Sequence, residues 1–316
     1  MNHAAGSPTL LVHGGAGVVR LDMDAAVERV VREALALALQ RGHAELAAGH
    51  SALDAVTAAV TVLEDSPYFN AGHGAVFTHD GHNELDAAIM DGATLRAGAI
   101  AGVRHVRNPV TLARAVLEHS PHVMLVGEGA EGFAREQGIA LVEPDYFRTA
   151  RRWQELQRAQ HRVAQGGRVD HFGTVGAVAL DTHGRLAAAT STGGMTDKRW
   201  GRIGDSPVIG AGTYANAACA MSGTGWGEFY LRTAAAHAVC MRVAEMRQAV
   251  VDAADAVINH EIPALGGSGG AIALGADGTF ALPFNTDGMY RGWIGSDRVA
   301  HVAIWPDEGM PPATRG

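Results

Sequence analysis

The sequence has few cysteines and few aromatic residues. Only Cys219 and Cys240 are present among 316 residues, and aromatic residues make up 6% of the chain. Two cysteines cannot form the disulfide framework of a small secreted domain, so we expect a reducing compartment. A chain of this length with 47% hydrophobic residues can bury a large core without such bridges. We therefore expect a globular protein of one large domain or two modest ones.

The sequence also lacks blocks of basic residues and long apolar runs. Its formal net charge is −8, and lysines and arginines are scattered. This balance argues against nucleic acid or an anionic membrane surface as a partner. No apolar run approaches the roughly 20 residues that span a bilayer. The first eight residues have neither the basic nor the apolar segment of a signal peptide, so we expect a cytoplasmic protein.

Glycine is abundant, with 41 residues, and it occurs in short loops that can bring main chain close to a ligand. One such loop, H-G-G-A-G at His13, follows a predicted strand and is either an anion-binding loop or a turn. Another, S-G-T-G-W-G at Ser222, precedes a predicted helix over Glu228 to Met246. Main-chain N–H groups there, with the Thr224 hydroxyl, could form an oxyanion hole.

The central stretch of the chain predicts a hairpin that carries threonines. The apolar runs Val175 to Leu180 and Leu186 to Ala189 lie on either side of Asp181-Thr182-His183-Gly184, a break that contains a glycine. Thr174 opens the first strand and Thr192 ends the second, and these two ends are neighbours in an antiparallel pair. One threonine could thus be a nucleophile and another could orient it. Alternatively, both are ordinary β-branched strand residues.

A threonine nucleophile needs a base, and the sequence offers two candidates. One is His171, and the other is the α-amine of Thr174 itself, which is freed if the chain is cut after Gly173. An α-amine has an ordinary pKa of about 7.7 to 8.0, so it is available near neutral pH. The polar segment from about residue 143 to 173 is predicted to be an exposed linker in which such a cut is accessible.

Three further motifs could each indicate a binding site. Arg202 and Asp205, three residues apart among glycines, match the two charged groups of an amino acid, or they form a surface ion pair. Gly127 to Gly132 fits a dinucleotide-binding G-x-G-x-x-G, but its two glutamates would repel a pyrophosphate. The three histidines His73, His79 and His82 lack the spacing of a zinc site, so no transition metal is expected.

Seven short segments occur in an order that resembles the plant-type L-asparaginase/isoaspartyl peptidase family of N-terminal nucleophile hydrolases. The resemblance covers nearly the whole chain. The segments are H-G-G-A-G at His13, F-N-A-G-H-G-A-V-F-T at Phe69, G-T-V-G-A-V-A-L-D at Gly173, A-T-S-T-G-G-M at Ala189, G-R-I-G-D-S-P at Gly201, G-T-G at Gly223 and F-N-T-D-G-M at Phe284.

The resemblance implies an α+β fold, the αββα four-layer sandwich of that family. It also implies a precursor that cuts itself between Gly173 and Thr174. The products would be an N-terminal fragment, residues 1–173 with the linker at about 143–173, and a C-terminal fragment, residues 174–316. The implied reaction is hydrolysis of β-aspartyl dipeptides and L-asparagine to release L-aspartate through a threonine acyl-enzyme.

By the same resemblance, Thr174 is the nucleophile and, through its new amine, the base. Thr192 orients it, and Thr224 with the Gly225 amide stabilises the oxyanion. The remaining implied site residues bind substrate or shape its pocket, and they are Arg202 for the α-carboxylate, Asp205 for the α-amine, and Gly227 and Asn70.

The resemblance implies no catalytic cofactor, but it does imply a structural sodium ion and a homodimer of cleaved heterodimers. The sodium would be bound by the carbonyl oxygens of Leu63, Glu64, Ser66, Phe69, Ala71 and His73. Trp226 stands where a small residue is expected, which affects the shape of the pocket. The alternatives are a glycosylasparaginase-type amidase of the same fold and a non-catalytic homologue that binds amino acids.

Overall fold

The computed structural model describes residues 7–167 and 173–308. Its helices are α1 Ala25–Ala47, α2 Ala52–Glu64, α3 Pro109–His119, α4 Gly127–Glu136, α5 Ala150–Ala164, α6 Gly227–Thr233, α7 Ala235–Ala244, α8 Val250–Asp255 and α9 Ile262–Ala264, with a π-helical segment, Ala256–Glu261, between the last two. Short 3₁₀ turns lie at Arg20–Asp22, Gly72–Gly74 and Pro144–Phe147. Within these described ranges, no helix is both long and apolar enough to cross a membrane.

The strands form two sheets. They are β1 Thr9–Ala16, β2 Leu85–Asp91, β3 Ala97–Val103, β4 Met124–Val126, β5 Val175–Leu180, β6 Leu186–Thr192, β7 Thr213–Ala215, β8 Cys219–Gly225, β9 Gly269–Gly275, β10 Phe280–Ala281, β11 Met289–Ile294 and β12 His301–Ala303. The first sheet has the order β12-β11-β1-β5-β6-β2-β3-β4, and the second has the order β10-β9-β8-β7. All neighbours are antiparallel except β3 and β4.

Three buried apolar clusters separate four layers. The first lies between helices α1 to α3 and the eight-stranded sheet, and it includes Leu35 and Val56. The second lies between the two sheets and includes Val178 and Ile272. The third joins the four-stranded sheet to α7 and α8. A helix layer, two sheets and a second helix layer are the αββα sandwich that the family resemblance implies.

The central strands are buried on both faces. In β5, Val175, Ala177 and Ala179 face the first helix layer, whereas Val178 and Leu180 face the second sheet. Successive side chains of a strand point to opposite faces, so a strand between two layers is a continuous apolar run. Polar residues on such strands stand out because each needs a partner in the interior.

The C-terminal helices differ from the sequence prediction. The single helix expected over Glu228 to Met246 is interrupted at Ala234, whose φ of 46° lies in the left-handed region. Helix α6 therefore ends at Thr233 and α7 starts in a new direction. No glycine marks the break, which is why the periodicity gave no sign of it.

The segment expected to be an exposed linker contains the docked helix α5. Its anchor is Arg152, whose side chain is 3% exposed and donates from Nε to the Gly74 carbonyl oxygen at 2.6 Å. The guanidinium also donates to the Glu155 carboxylate at 2.7 Å. The ring of Trp153 packs edge to face on Phe77, with 5.3 Å between centroids. Arg152, Leu156 and Ala159 are buried at helical spacing, but the abundance of arginine and glutamine in this segment led to the prediction of a linker.

Candidate active site

Thr174 and Thr192 lie side by side at one edge of the β5–β6 hairpin. Val175 of β5 pairs with Ser191 of β6. Thr174, which directly precedes β5, therefore lies next to Thr192, the last residue of β6. The Thr174 hydroxyl donates to Thr192 Oγ1 at 3.1 Å, and both residues are buried. Thr192 Oγ1 also accepts from the Gly194 N–H at 3.0 Å. These hydrogen bonds fix the position of the Thr174 hydroxyl, and Thr174 also lines a small cavity.

The peptide bond before Thr174 is held by Asn70. Its Nδ2 donates to the Gly173 carbonyl oxygen at 2.8 Å and to the Gly194 carbonyl oxygen at 2.7 Å, while its Oδ1 accepts from the Val76 N–H at 2.9 Å. Gly173 has a φ of +68°, which is strained for any residue with a side chain. A Cβ at Gly15 would lie 2.4 Å from the Gly173 Cα, so the main chains touch here.

His13 is not placed to take a proton from the Thr174 hydroxyl. His171 lies outside the described residues. His13 is fully buried, and its Nε2 lies 2.8 Å from Ser222 Oγ rather than on the Thr174 hydroxyl. Burial lowers the pKa of His13 to about 3, partly opposed by the Thr174 main chain, so the imidazole is neutral near pH 7.

Thr224 and Gly225 end strand β8 next to β1. Thr224 Oγ1 accepts from the Ala16 N–H at 3.3 Å, and its carbonyl oxygen accepts from the Tyr230 hydroxyl at 3.1 Å. The two residues are thus part of a strand, whereas the sequence placed them in a turn at a helix start. Helix α6 begins only at Gly227.

A small cavity of about 20 Å³ is lined by some of the predicted site residues, but not by Thr224, Gly227 or Asn70. Among its lining residues are Gly173, Thr174, Thr192, Arg202, Asp205 and Gly225. The fold therefore brings together two charged side chains and the candidate nucleophile from segments about 30 residues apart in sequence.

Arg202 is held by a carboxylate that sequence reasoning missed. Its Nε and Nη2 donate to the two carboxylate oxygens of Glu228 at 2.9 and 3.0 Å. Side-chain exposure is 18% for Arg202 and 43% for Glu228. A bidentate pair fixes the plane of the guanidinium. The sequence showed only that Glu228 opens a helix, because 26 residues separate the partners.

Asp205 is buried and incompletely paired. Its Oδ2 makes no hydrogen bond within the described part of the chain. Burial raises the pKa of this carboxyl to about 6, and the charge of Arg202 partly opposes the shift. A Cβ at Gly227 would lie 2.5 Å from Asp205 Oδ1, so a larger residue there would displace the carboxylate. A buried oxygen that lacks a donor suits a bound ammonium group.

Asp86 and Lys198 are two further buried charged residues, and the sequence gave no sign of them. Asp86 is paired directly with Thr192 across β2 and β6, and its Oδ1 accepts from the Gly102 N–H at 2.9 Å. Lys198 donates from Nζ to the Glu84 carbonyl oxygen at 3.1 Å. Burial raises the pKa of Asp86 and lowers that of Lys198, while each charge opposes the other's shift.

The segment implied to bind sodium folds back on the end of α2. The Leu63 carbonyl oxygen accepts from the Ser66 N–H at 3.3 Å, and the Ala71 carbonyl oxygen accepts from the Gly74 N–H at 3.1 Å. A Cβ at Gly72 would lie 2.4 Å from the Glu64 carbonyl oxygen. Main-chain carbonyl oxygens are ligands that a hard cation accepts.

The other motifs have structural roles. Gly127 starts α4, so the G-x-G-x-x-G glycines lie within a helix and not in a phosphate loop. Glu131 of this motif accepts from the Arg104 and His105 N–H groups. His79 contacts Asp197 at 2.8 Å, and His73 packs on the Tyr146 ring.

A four-layer αββα sandwich with a threonine at the start of a central strand is the fold of the N-terminal nucleophile hydrolases. Residues 6–304 match the family model described as Asparaginase, and the chain belongs to this asparaginase family. It is therefore an amidohydrolase.

Three named relatives are similar to the chain over 72% to 98% of its length. The chain is 49% identical to an isoaspartyl peptidase of Escherichia coli, over 98% of this chain and 100% of that protein. It is 52% identical to an isoaspartyl peptidase of Salmonella typhimurium, over 90% and 94%. It is also 46% identical to a plant-type L-asparaginase of Pyrococcus abyssi, over 72% and 76%.

Proposed function

We propose that the chain cuts itself between Gly173 and Thr174 and then hydrolyses β-aspartyl dipeptides and L-asparagine to release L-aspartate. The observation that carries this is the placement of the Thr174 hydroxyl against Thr192, next to a carbonyl held by Asn70. Arg202 and Asp205 line the same cavity. Incubating the purified chain and following both fragment formation and aspartate release tests the proposal.

Self-cleavage starts with attack of Thr174 Oγ on the Gly173 carbonyl carbon. Negative charge develops on the carbonyl oxygen, and Asn70 Nδ2 donates to this oxygen. The C–N bond then breaks, the hydroxyl proton passes to the leaving nitrogen, and an ester joins the two residues. Water hydrolyses the ester, which yields a carboxylate on Gly173 and a free amine on Thr174.

Turnover uses the freed amine as the base. It takes the Thr174 hydroxyl proton while Oγ attacks the β-carbonyl carbon of the substrate. Thr224 and the Gly225 N–H stabilise the oxyanion, and the leaving amine receives the proton. Water then releases aspartate from the acyl-enzyme and restores the hydroxyl. By family likeness, the cleaved pair associates as a dimer of heterodimers.

The substrate's charged groups are bound at the end of the cavity formed by Arg202 and Asp205. The guanidinium binds the α-carboxylate, and the incompletely paired Asp205 carboxylate binds the α-ammonium. Glu228 keeps the guanidinium in the required plane.

Binding of the product L-aspartate should weaken in acid. Because Asp205 has a raised pKa of about 6, it is an anion above that pH and becomes neutral as the pH falls through it. A neutral carboxyl no longer pairs with an ammonium group, so the inhibition constant of L-aspartate should rise about tenfold for each pH unit below 6. Measuring the dissociation constant of L-aspartate by direct binding titration from pH 5 to 8 checks the effect without an activity assay, in which the Thr174 amine would act as base. The Asp205→Asn variant should bind weakly at every pH, and a pH-independent wild type would count against the assignment.

We also propose that the loop after α2 binds sodium through the carbonyl oxygens of Leu63, Glu64, Ser66, Phe69, Ala71 and His73. The midpoint of thermal unfolding should then rise with NaCl but not with choline chloride at the same ionic strength, since only a folded loop gathers the oxygens. Equal midpoints in the two salts would contradict sodium binding.

A further inference from the structure

A network of buried polar side chains joins the two sheets beneath the active site. His13 Nε2 lies 2.8 Å from Ser222 Oγ, and Ser222 Oγ lies 2.7 Å from Thr190 Oγ1. Thr213 Oγ1 lies 2.6 Å from Thr190 Oγ1 and donates to the Ser206 carbonyl oxygen at 2.9 Å. The four side chains belong to residues with 0% exposure. We call His13, Ser222, Thr190 and Thr213 the inter-sheet network.

Gly176 provides the space for this network. It is paired with His13 of β1 on one side and with Thr190 of β6 on the other, so the three residues form one row across the first sheet. A Cβ at Gly176 would lie 2.0 Å from Ser222 Oγ and 2.4 Å from His13 Nε2. Because glycine has no Cβ, the Ser222 side chain of the second sheet can approach the first sheet at Gly176.

Two strands of the network, β6 and β8, also carry a residue of the site. Residues two apart on a strand share a face. Thr190 is thus followed on the same face by Thr192, and Ser222 is followed by Thr224. Thr213 contacts the main chain of Ser206, which directly follows Asp205. The network lies two residues along the strands from Thr174 and Thr192. It is connected through β6 to Thr192, through β8 to Thr224, and through Ser206 to the loop that carries Asp205.

The remainder of the layer between the sheets is apolar, including Leu11, Val178, Ile272 and Leu274. Apolar burial is non-directional, so by itself it specifies the lateral position of two sheets less sharply than hydrogen bonds do. Hydrogen bonds are short and directional, and a buried hydroxyl that loses its partner is costly. The network therefore selects one lateral position of the sheets.

We propose that the inter-sheet network is a positioning device that sets the second sheet and the substrate loop relative to Thr174. This rests on the proposed function, because it assigns Thr192, Thr224 and Asp205 their roles. Thr190 is its central positioning residue, since it bonds Ser222 and Thr213 at once. The network itself touches no substrate.

The test compares three variants of strand β6. Thr190→Val keeps the shape and removes the hydroxyl, Thr190→Ser keeps the hydroxyl, and Ser191→Ala removes a hydroxyl that is equally buried on the opposite face. The readouts are kcat and KM for L-asparagine per mole of cleaved Thr174, the self-cleavage rate and the unfolding midpoint. Thr190→Val should lower kcat at least about tenfold, because small misplacements of reacting groups are costly. Thr190→Ser and Ser191→Ala should stay within about threefold of wild type.

Thr213→Val tests the other end of the network. It should mainly raise KM and the inhibition constant of L-aspartate, because the lost bond supports the loop that carries Asp205. A Thr190→Val protein with wild-type kcat per cleaved chain, whatever its unfolding midpoint, would overturn the proposal. If that variant does not fold, unchanged L-aspartate binding in Thr213→Val would overturn it instead. A wild type that cuts itself but hydrolyses none of the substrates would refute the proposed function separately.

Discussion

Replacing Thr174 by alanine should leave the chain uncut and abolish turnover. The variant lacks the oxygen that attacks the Gly173 carbonyl, so no fragment and no free Thr174 amine can form. Loss of a nucleophile typically lowers kcat by more than about 10⁴-fold. Denaturing electrophoresis after prolonged incubation checks the cleavage, and release of aspartate from a β-aspartyl dipeptide checks the turnover.

Two matched variants sharpen this test. Thr174→Ser retains a hydroxyl at the same place and should still cut, although the missing methyl group leaves the side chain less constrained. Thr182→Ala removes an exposed threonine from the turn of the same hairpin and should behave as wild type. A Thr174→Ala protein that still released aspartate would show that another group performs the reaction.

Replacing Asn70 by aspartate should slow self-cleavage by about 10²- to 10³-fold, the usual cost of losing one donor to an oxyanion. The change keeps an acceptor for the Val76 N–H but removes the Nδ2 donor to the Gly173 carbonyl oxygen. It also places a carboxylate next to the Gly173 carbonyl oxygen, on which negative charge develops during the attack. The rate is measured by intact mass from freshly purified precursor.

The control for Asn70 is Asn216→Asp. The Asn216 side chain accepts from the Ala218 and Cys219 N–H groups through Oδ1, and aspartate can do the same. This variant should cut at the wild-type rate. If Asn70→Asp also cut at that rate while remaining folded, its amide would not be the group that stabilises the oxyanion.

The hairpin was predictable from the sequence because its information is local. Two apolar runs around a glycine-containing break fix the pairing of β5 with β6, and this pairing alone brings Thr174 next to Thr192. The four layers were not derivable in the same way. Strands such as β5 are buried on both faces, so their apolar runs do not show which layer lies on which side. The expected sandwich came from the family resemblance.

The partners of the site residues were not predictable, because they meet only through the fold. His13 and Ser222 are separated by 209 residues, and Arg202 and Glu228 by 26. Helix α5 was missed for a different reason. Arg152 binds main-chain carbonyl oxygens in the interior, whereas an arginine in a polar segment is expected to be exposed, so the helical spacing of Arg152, Leu156 and Ala159 was not recognised.

The most direct test is to sequence the N-termini of the active protein while following its activity over time. We expect a new terminus that begins Thr174-Val175-Gly176, with aspartate release growing in proportion to it. Material that is fully active as one unbroken polypeptide would contradict the account, since its Thr174 would have no free amine to accept the proton.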